Sequence, residues 1–480
     1  MTFPEVAPFV DAGVLIYFVA LQTFYTILIV LAVIEIARHQ ARRLPELDPA
    51  VLMEKSTPPI TILVPAHNEE KHVVDTVFGL LDLEYPSFEI LVINDGSSDE
   101  TLERLEEALE LEPETRPIRE SIPTAEIRGM YQSKQHENVR VIDKVQGGKA
   151  DALNAGINAV RTPIFCSIDA DTVVIRKGLL RMVDAFIYDP EEVVAVGGTV
   201  RVANGCEISG GIVEELGTPD SWLARFQQVE YLRSFVFGRL GLNRLGGNLI
   251  ISGAFGLFSR QAVVDVGGYE TSTVAEDMEL VVKLHRHVQK HGGRVVQLSE
   301  PIAYTEVPET LAGLATQRAR WHRGMAETMW KHRGMIGRRR YGLPGFIVMP
   351  LFVLFELFGP LLEVLGYAWF IAALLFGFAD PMFAVLFFVV AVLWGMMLTI
   401  SSLIADRWTY RRQTGETAGA MTFLVAIIEN LGYRQLTLLF RLRGFVEFLR
   451  GNREWGRIER RGHGRQPAAE PMTGPIKENQ

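Results

Sequence analysis

Cysteine is scarce in this chain, with only Cys166 and Cys206 among 480 residues. Two thiols cannot build a disulfide framework, and Cys166 falls in an apolar run that reads as a buried strand. Both are expected as reduced thiols facing a cytosolic environment. A basic excess is also missing, since the formal net charge is -9, and that argues against a nucleic-acid partner. No G-x-G-x-x-G follows the first strand pattern, which counts against a dinucleotide-dependent oxidoreductase. Gly147-Gly148-Lys149-Ala150 lacks the first Walker glycine and the Ser or Thr after the lysine, which counts against an ATPase. His67, His72, His285, His287, His291, His322 and His332 lack the spacing of a zinc site and are expected on surfaces without a catalytic role.

Apolar sequence, by contrast, is plentiful: hydrophobic residues make up 48% of the chain, high for a purely soluble enzyme. The run from Val14 to Ala37 is long enough to cross a bilayer as a helix. Arg38, Arg42 and Arg43 follow it and only acidic or neutral residues precede it, so the positive-inside rule puts everything after Arg38 in the cytoplasm. A cleaved signal peptide would need basic residues before a shorter apolar core, so an anchor is expected. Further apolar runs cover Phe346 to Phe378, Met382 to Ala405 and Met421 to Phe440. Pro350 and Gly359-Pro360 predict a break in the first of these, giving an interfacial helix followed by a span. The third carries Glu429, Asn430, Arg434 and Gln435, which are costly in lipid unless they face protein or water.

Between the apolar ends the pattern alternates strand and helix. Ile60 to Val64, Glu89 to Ile93, Val139 to Ile142 and Ile164 to Ile168 read as strands with helices between them, which predicts an α/β fold with a Rossmann-like, mostly parallel sheet. Ligands bind such sheets at the carboxyl ends of the strands. Residues 113–137 show no clear period and are expected as an exposed insertion. The expected organisation is an anchor at 1–43, a linker at 44–59, a catalytic domain at 60–340, a membrane region with interfacial helices at 341–445, and a tail at 446–480, basic and then without fixed structure.

Each conspicuous polar motif falls at a strand end or a helix start. Pro65-Ala66-His67-Asn68-Glu69 closes the first strand, and Asn94-Asp95-Gly96 closes the second; such side-by-side ends suit a base and ribose. Asp169-Ala170-Asp171 ends the buried strand from Ile164. Two carboxylates so close call for a cation, and oxygen ligands point to Mg2+ or Mn2+ bridging a diphosphate. Glu276-Asp277 opens a helix, where one carboxylate, assigned here to Asp277, can take a proton from an acceptor hydroxyl. Gln317, Arg320 and Trp321 share one helical face, putting a diphosphate-gripping cation beside an aromatic plate for a sugar ring.

With these motifs in order from Val64 to Trp321, the chain resembles glycosyltransferase family 2, and within it the processive membrane synthases of poly-N-acetylglucosamine, cellulose, hyaluronan and chitin. The resemblance implies an A-type glycosyltransferase domain held in the cytosol between transmembrane helices of a bacterial-type inner membrane. It also implies a UDP-sugar donor, a divalent metal and an inverting transfer. Carried over to this sequence, Ala66, Asn68, Glu69, Asp95, Lys149 and Asp169 would bind the nucleotide, with Lys149 near the base, and Asp171 the metal. Asp277 would be the general base, while Glu276, Gln317, Arg318, Arg320, Trp321, Ser252 and Gly253 would face the diphosphate or the acceptor. Ala275 stands where the family usually has Thr. The acceptor is either a growing β-linked glycan or a lipid, and an accessory subunit for export is a further partner compatible with the resemblance.

Overall fold

The computed structural model describes residues 3–42, 57–188, 193–410 and 420–451. Residues 44–56 of the expected linker and the tail beyond 451 lie outside the described residues.

The strands are β1 (Ile60–Ala66), β2 (Phe88–Asp95), β3 (Leu111–Pro113), β4 (Ile127–Ser133), β5 (Val139–Lys144) and β6 (Ile164–Ile168). They continue with β7 (Val173–Val174), β8 (Val193–Val202), β9 (Glu207–Ser209), β10 (Ile212–Glu215), β11 (Phe255–Ser259) and β12 (Arg294–Thr305). Ten of them form one sheet in the order β3-β4-β5-β2-β1-β6-β11-β8-β12-β7. The α/β, Rossmann-like class is as expected. Its parallel part is the block β5-β2-β1-β6 together with the β8–β12 pair, and antiparallel pairs surround it. In both parallel parts helices lie between the paired strands along the chain, which is the connection that parallel pairing requires.

Continuous apolar runs form the middle strands because both faces are covered. Val73, Val77 and Leu80 of the helix Val73–Leu81 close one face, with Leu179, Met182 and Val183. On the other lie Ala152, Leu153 and Ile157 of the helix Lys149–Ala159, with Leu280, Val281 and Leu284 of the helix Glu276–His291.

Residues 113–137 are not a detached insertion. Strand β4 pairs with β5 and carries β3 on its outer edge, and Ile122 and Met130 are buried. The Asn158 Oδ1 accepts from the Ser121 and Ile122 amides at 3.0 Å each, and Asp151 accepts from the Ala125 amide. Those anchors lie on the helix Lys149–Ala159, and nothing in the local period of 113–137 advertises them.

The N-terminal helix Phe3–Arg42 contains the apolar stretch Val6–Arg38, and a second stretch runs from Pro381 to Trp408. Among the described residues these two are long and apolar enough to cross a membrane, or up to four if each of two bent pairs counts as one span. The expected break at Gly359 is present, with Pro344–Leu357 and Gly359–Leu375 bent by 43°. Ala420–Ile428 and Tyr433–Leu449 are bent by 55°, at the polar residues Glu429 and Asn430. This last helix runs past the boundary expected at residue 445.

Packing ties this apolar part to the sheet domain. Leu21, Phe24 and Leu28 of the N-terminal helix share a core with Met278 and Val282, and with Met325 and Met329 of the helix Leu311–Lys331. At Gly444 a Cβ would lie 2.2 Å from the Ala319 carbonyl oxygen, so the last helix crosses the Gln317–Trp321 helix at backbone distance.

Candidate active site

At the ends of β1 and β2 the backbone is bent sharply. Asn68 holds a left-handed φ of 57°, and Gly96 one of 61°, where an added Cβ would also lie 2.7 Å from the Gln146 nitrogen. Asn68 joins the two ends: its amide donates to Ser97 Oγ at 3.0 Å, and its Oδ1 accepts from the Ser98 amide at 2.8 Å. The Glu69 amide donates to Thr101 Oγ1. Ala66 is buried at the last position of β1.

Asp95 is buried beside a lysine that the sequence reading missed. Lys144 Nζ lies 2.6 Å from Asp95 Oδ1 and 2.6 Å from Asp151 Oδ1, and its side chain has no exposed surface. The Gly147 and Gly148 amides donate to the two Asp95 oxygens at 2.9 and 2.7 Å. Asp95 therefore shapes the loop that delivers Lys149. Lys144 sits at the end of β5 and belongs to no motif, so only the fold brings it beside two carboxylates.

Lys149 opens its helix and spans the next two motifs. Its Nζ is 2.5 Å from Asp169 Oδ1 and 3.4 Å from Glu276 Oε1, and it donates to the Gly253 carbonyl at 3.4 Å. Burial works against the ammonium charge, but the Asp169, Glu276 and Asp277 carboxylates outweigh it and raise Lys149 above the ordinary lysine range. The Lys149 side chain thus bridges the two acidic motifs. Burial, partly offset by Lys149, raises the Glu276 carboxyl.

Asp277 faces the same space. Its Oδ2 accepts from the Gly253 amide at 3.0 Å, and its Oδ1 from the Met278 amide at 2.7 Å. Lys149, Ser252, Gly253, Tyr269, Glu276 and Asp277 line a cavity of about 10 Å³. Ala275, the departure from the usual Thr, packs on Gly324, where an added Cβ would lie 2.4 Å from the Ala275 Cβ. A small residue here lets the Gln317–Trp321 helix close over the Glu276-Asp277 turn.

Asp171 is buried and lines a second cavity of about 410 Å³, between the helix Val73–Leu81 and the β9–β10 hairpin. Among the described residues no group of three or more His, Cys, Asp and Glu is arranged to hold a metal. A hard cation held by one or two carboxylates, with water and a substrate diphosphate completing its shell, does not require such a group; Asp169 pairs with Lys149, and Asp171 lines the second cavity.

The Gln317–Trp321 stretch divides into two roles. Arg318 turns inward: its Nη2 donates to Glu230 Oε2 at 2.7 Å, and its guanidinium lies 4.4 Å from the Trp321 ring centroid. Gln317 Oε1 accepts from Arg318 at 3.1 Å. Both residues therefore brace the helix and Trp321. Arg320 is half-buried on the same helix, and Trp321 is 42% exposed with its ring 6.4 Å from that of Tyr231. Glu230 and Tyr231, on the helix Trp222–Arg233, were also missed; they carry no spacing signal, and only their packing against Arg318 and Trp321 reveals them.

Three histidines expected on surfaces, His285, His322 and His332, are buried. Burial and then Arg441 push the His322 imidazole down to about 3. His332 Nε2 contacts Glu279 Oε1 at 3.1 Å, and His285 Nε2 contacts the Asn248 carbonyl at 2.7 Å. All three serve helix packing near the site.

An α/β sheet with a carboxylate pair after β6, and a second pair opening a helix beside it, is the arrangement expected of an A-type glycosyltransferase. A family model described as "Glycosyltransferase like family 2" matches residues 58–324, and the chain belongs to that family. It is similar to the poly-beta-1,6-N-acetyl-D-glucosamine synthase of Staphylococcus aureus (strain COL), 32% identical over 271 residues, which are 56% of this chain and 55% of that one. The protein of the same name from Staphylococcus epidermidis is 31% identical over 271 residues, with the same coverage. The match thus spans about half the length of these relatives. Among solved structures, a mannosyltransferase from Pyrobaculum calidifontis, in complex with GDP-Man and Mn2+, aligns over 88% of this chain and 99% of its own. Its TM-score is 0.52 at 17% identity, a likeness of fold.

Proposed function

We propose that the protein is an inverting, divalent-metal-dependent hexosyltransferase that extends a β-linked polysaccharide from a UDP-sugar, of the UDP-N-acetylglucosamine or UDP-glucose class, at the cytoplasmic face of a membrane. The observation that carries this reading is the pairing of Asp277 with the Gly253 amide, one residue from the Glu276 that Lys149 links to Asp169. The names of the Staphylococcus relatives support a polymeric product and favour N-acetylglucosamine.

Asp277 takes the proton of an acceptor hydroxyl as that oxygen attacks the anomeric carbon, and the carbon–oxygen bond to UDP breaks with inversion. The Gly253 amide fixes the orientation of the receiving carboxylate. Asp169 and Asp171 would hold Mg2+ or Mn2+, which supplies charge neutralisation for the departing diphosphate. Lys149 leaves its bridge to Asp169 when the donor arrives and adds a cation at the same place, while Trp321 supports the acceptor ring. The helix pairs bent at Gly359 and at Glu429–Gly432, together with the two apolar helices, would carry the glycan outward, with or without a partner subunit.

Purified protein in nanodiscs, supplied with Mg2+ or Mn2+ and a panel of UDP-sugars, tests the reading. UDP release with one donor and a long glycosidase-sensitive product is expected, and both are lost on chelation. A single sugar on extracted lipid would replace the polymer by a lipid acceptor. Silence with every donor would remove the transferase reading.

A further inference from the structure

Arg239 belongs to none of the motifs described above, yet it lies within electrostatic reach of the proposed base. It ends a π-helical turn, Ser234–Arg239, that continues the helix Trp222–Arg233. Such a turn inserts an extra residue, rotates the side chains that follow, and recurs at functional sites. Here it stacks the Arg239 guanidinium on the Phe235 ring, 3.9 Å from its centroid. Asp277 and Tyr231 both lie near enough to act on the Arg239 charge, and burial lowers the guanidinium to about 10. Its Nη1 is buried and has no hydrogen-bond partner among the described residues.

A buried guanidinium donor without an acceptor is costly, and folded proteins retain one where a ligand supplies the missing lone pair. The surroundings indicate which ligand. Trp321, half exposed, faces Tyr231 at 6.4 Å, and Tyr231 faces Phe235 at 6.1 Å, so aromatic rings lead from the exposed tryptophan to the guanidinium. Aromatic faces followed by one fixed donor next to a general base suit a sugar ring, whose C–H face stacks and whose oxygens accept. The diphosphate is a poorer fit, because the Asp277 carboxylate acts on the same place with a negative charge.

We infer that Arg239 is an acceptor-binding residue that donates through Nη1 to an oxygen of the terminal sugar of the growing glycan and so holds that sugar's hydroxyl at Asp277. This rests on the transferase reading and deepens it: acceptor recognition comes in part from the Trp222–Arg239 segment, outside the motifs that mark the family.

The test uses the full chain in nanodiscs, with UDP-N-acetylglucosamine as donor and a β-1,6-linked N-acetylglucosamine pentamer as acceptor, comparing wild type, Arg239→Gln and Arg239→Lys. Loss of one charged hydrogen bond predicts an acceptor KM about ten-fold higher in Arg239→Gln, a donor KM within about two-fold, and a partial return in Arg239→Lys. An unchanged acceptor KM in Arg239→Gln overturns the inference and leaves the transferase reading standing. An equal loss on donor and acceptor in both variants also overturns it, because Arg239 would then serve the fold alone. A wild-type protein silent with this pair overturns the transferase reading for this donor, and the inference with it.

Discussion

At the ends of β1, β2 and β5 the polar groups are spent inside the protein, whereas around the end of β6 and the start of the helix Glu276–His291 they are held against one another around a small cavity. Asp95 accepts from Lys144 and two glycine amides, and Asn68 locks its loop to Ser97 and Ser98. On the other side Lys149 spans two carboxylates, Asp277 accepts only from the Gly253 and Met278 amides among the hydrogen bonds described, and Trp321 stands half in solvent. The first region reads as a scaffold whose geometry is fixed before any ligand arrives. In the second, charges neutralise one another only provisionally, so a ligand can replace the partners without dismantling the core.

Substitutions should separate the two regions. The largest effect is expected for Asp277→Asn, which keeps an oxygen to accept the Gly253 amide but cannot take a proton. Glycosyl transfer should fall by roughly two to four powers of ten with the thermal midpoint little changed. UDP release and a melting curve on the same preparation check both halves of this statement, and a variant that keeps its rate would move the base elsewhere. Lys144→Met should do the reverse and act on folding. It leaves Asp95 and Asp151 buried without their shared cation, a loss of about 3 kcal/mol or more in stability. Denaturation of the detergent-solubilised variant measures it. A near-neutral result would mean that the loop amides alone hold Asp95.

The scaffold and the site were not equally legible in the sequence. Continuous apolar runs announced β1, β2, β5 and β6, because a strand covered on both faces has no polar side to alternate with. Asp169, Asp171, Glu276 and Asp277 stood out because carboxylates at strand ends and helix starts are conspicuous and local. Lys144, Glu230, Tyr231 and Arg239 were invisible for the opposite reason. Lys144, Glu230 and Tyr231 lie in an ordinary strand or helix and Arg239 in a π-helical turn that leaves no mark on the sequence, and each gains its meaning from a partner elsewhere along the chain, as Glu230 does from Arg318 and Arg239 from Asp277. The same holds for β4: its register on β5 rests on anchors at Asp151 and Asn158, beyond any local window. The motif from Gln317 to Trp321 was readable as a face, but not the inward turn of Arg318, which depends on Glu230, 88 residues earlier in the chain.

A smaller effect is expected at the open end of the site. Trp321→Ala removes the exposed plate while leaving the Arg318–Glu230 pair in place. Stacking of this kind contributes about 1 kcal/mol, so the acceptor KM should rise between about three- and ten-fold with the donor KM nearly constant. Equal shifts in both would place Trp321 at the donor instead, and would move the boundary between the two regions.

The smallest effect concerns an ion pair at the rim and is the exposed counterpart of the Lys144 cluster. Glu270 pairs with Lys331 and accepts from Ser272 Oγ at 2.6 Å. Partial burial works against its charge, but Lys331, Ser272 and Lys283 outweigh it and hold the carboxyl down at about 2. A folded value below the unfolded one means that the stabilisation is present above about pH 4.5 and is lost as pH falls from there toward about 2. Solvent screens a pair of this exposure, so Glu270→Gln should lower stability by less than about 1 kcal/mol at pH 7. The gap between wild type and variant should narrow by pH 3 and shrink in high salt. Denaturation curves at pH 7, 5, 4 and 3 check this. A gap that stays constant over that series would mean that Glu270 acts through packing, and the contrast with Lys144 would then lie in shape and not in the exposure of charge.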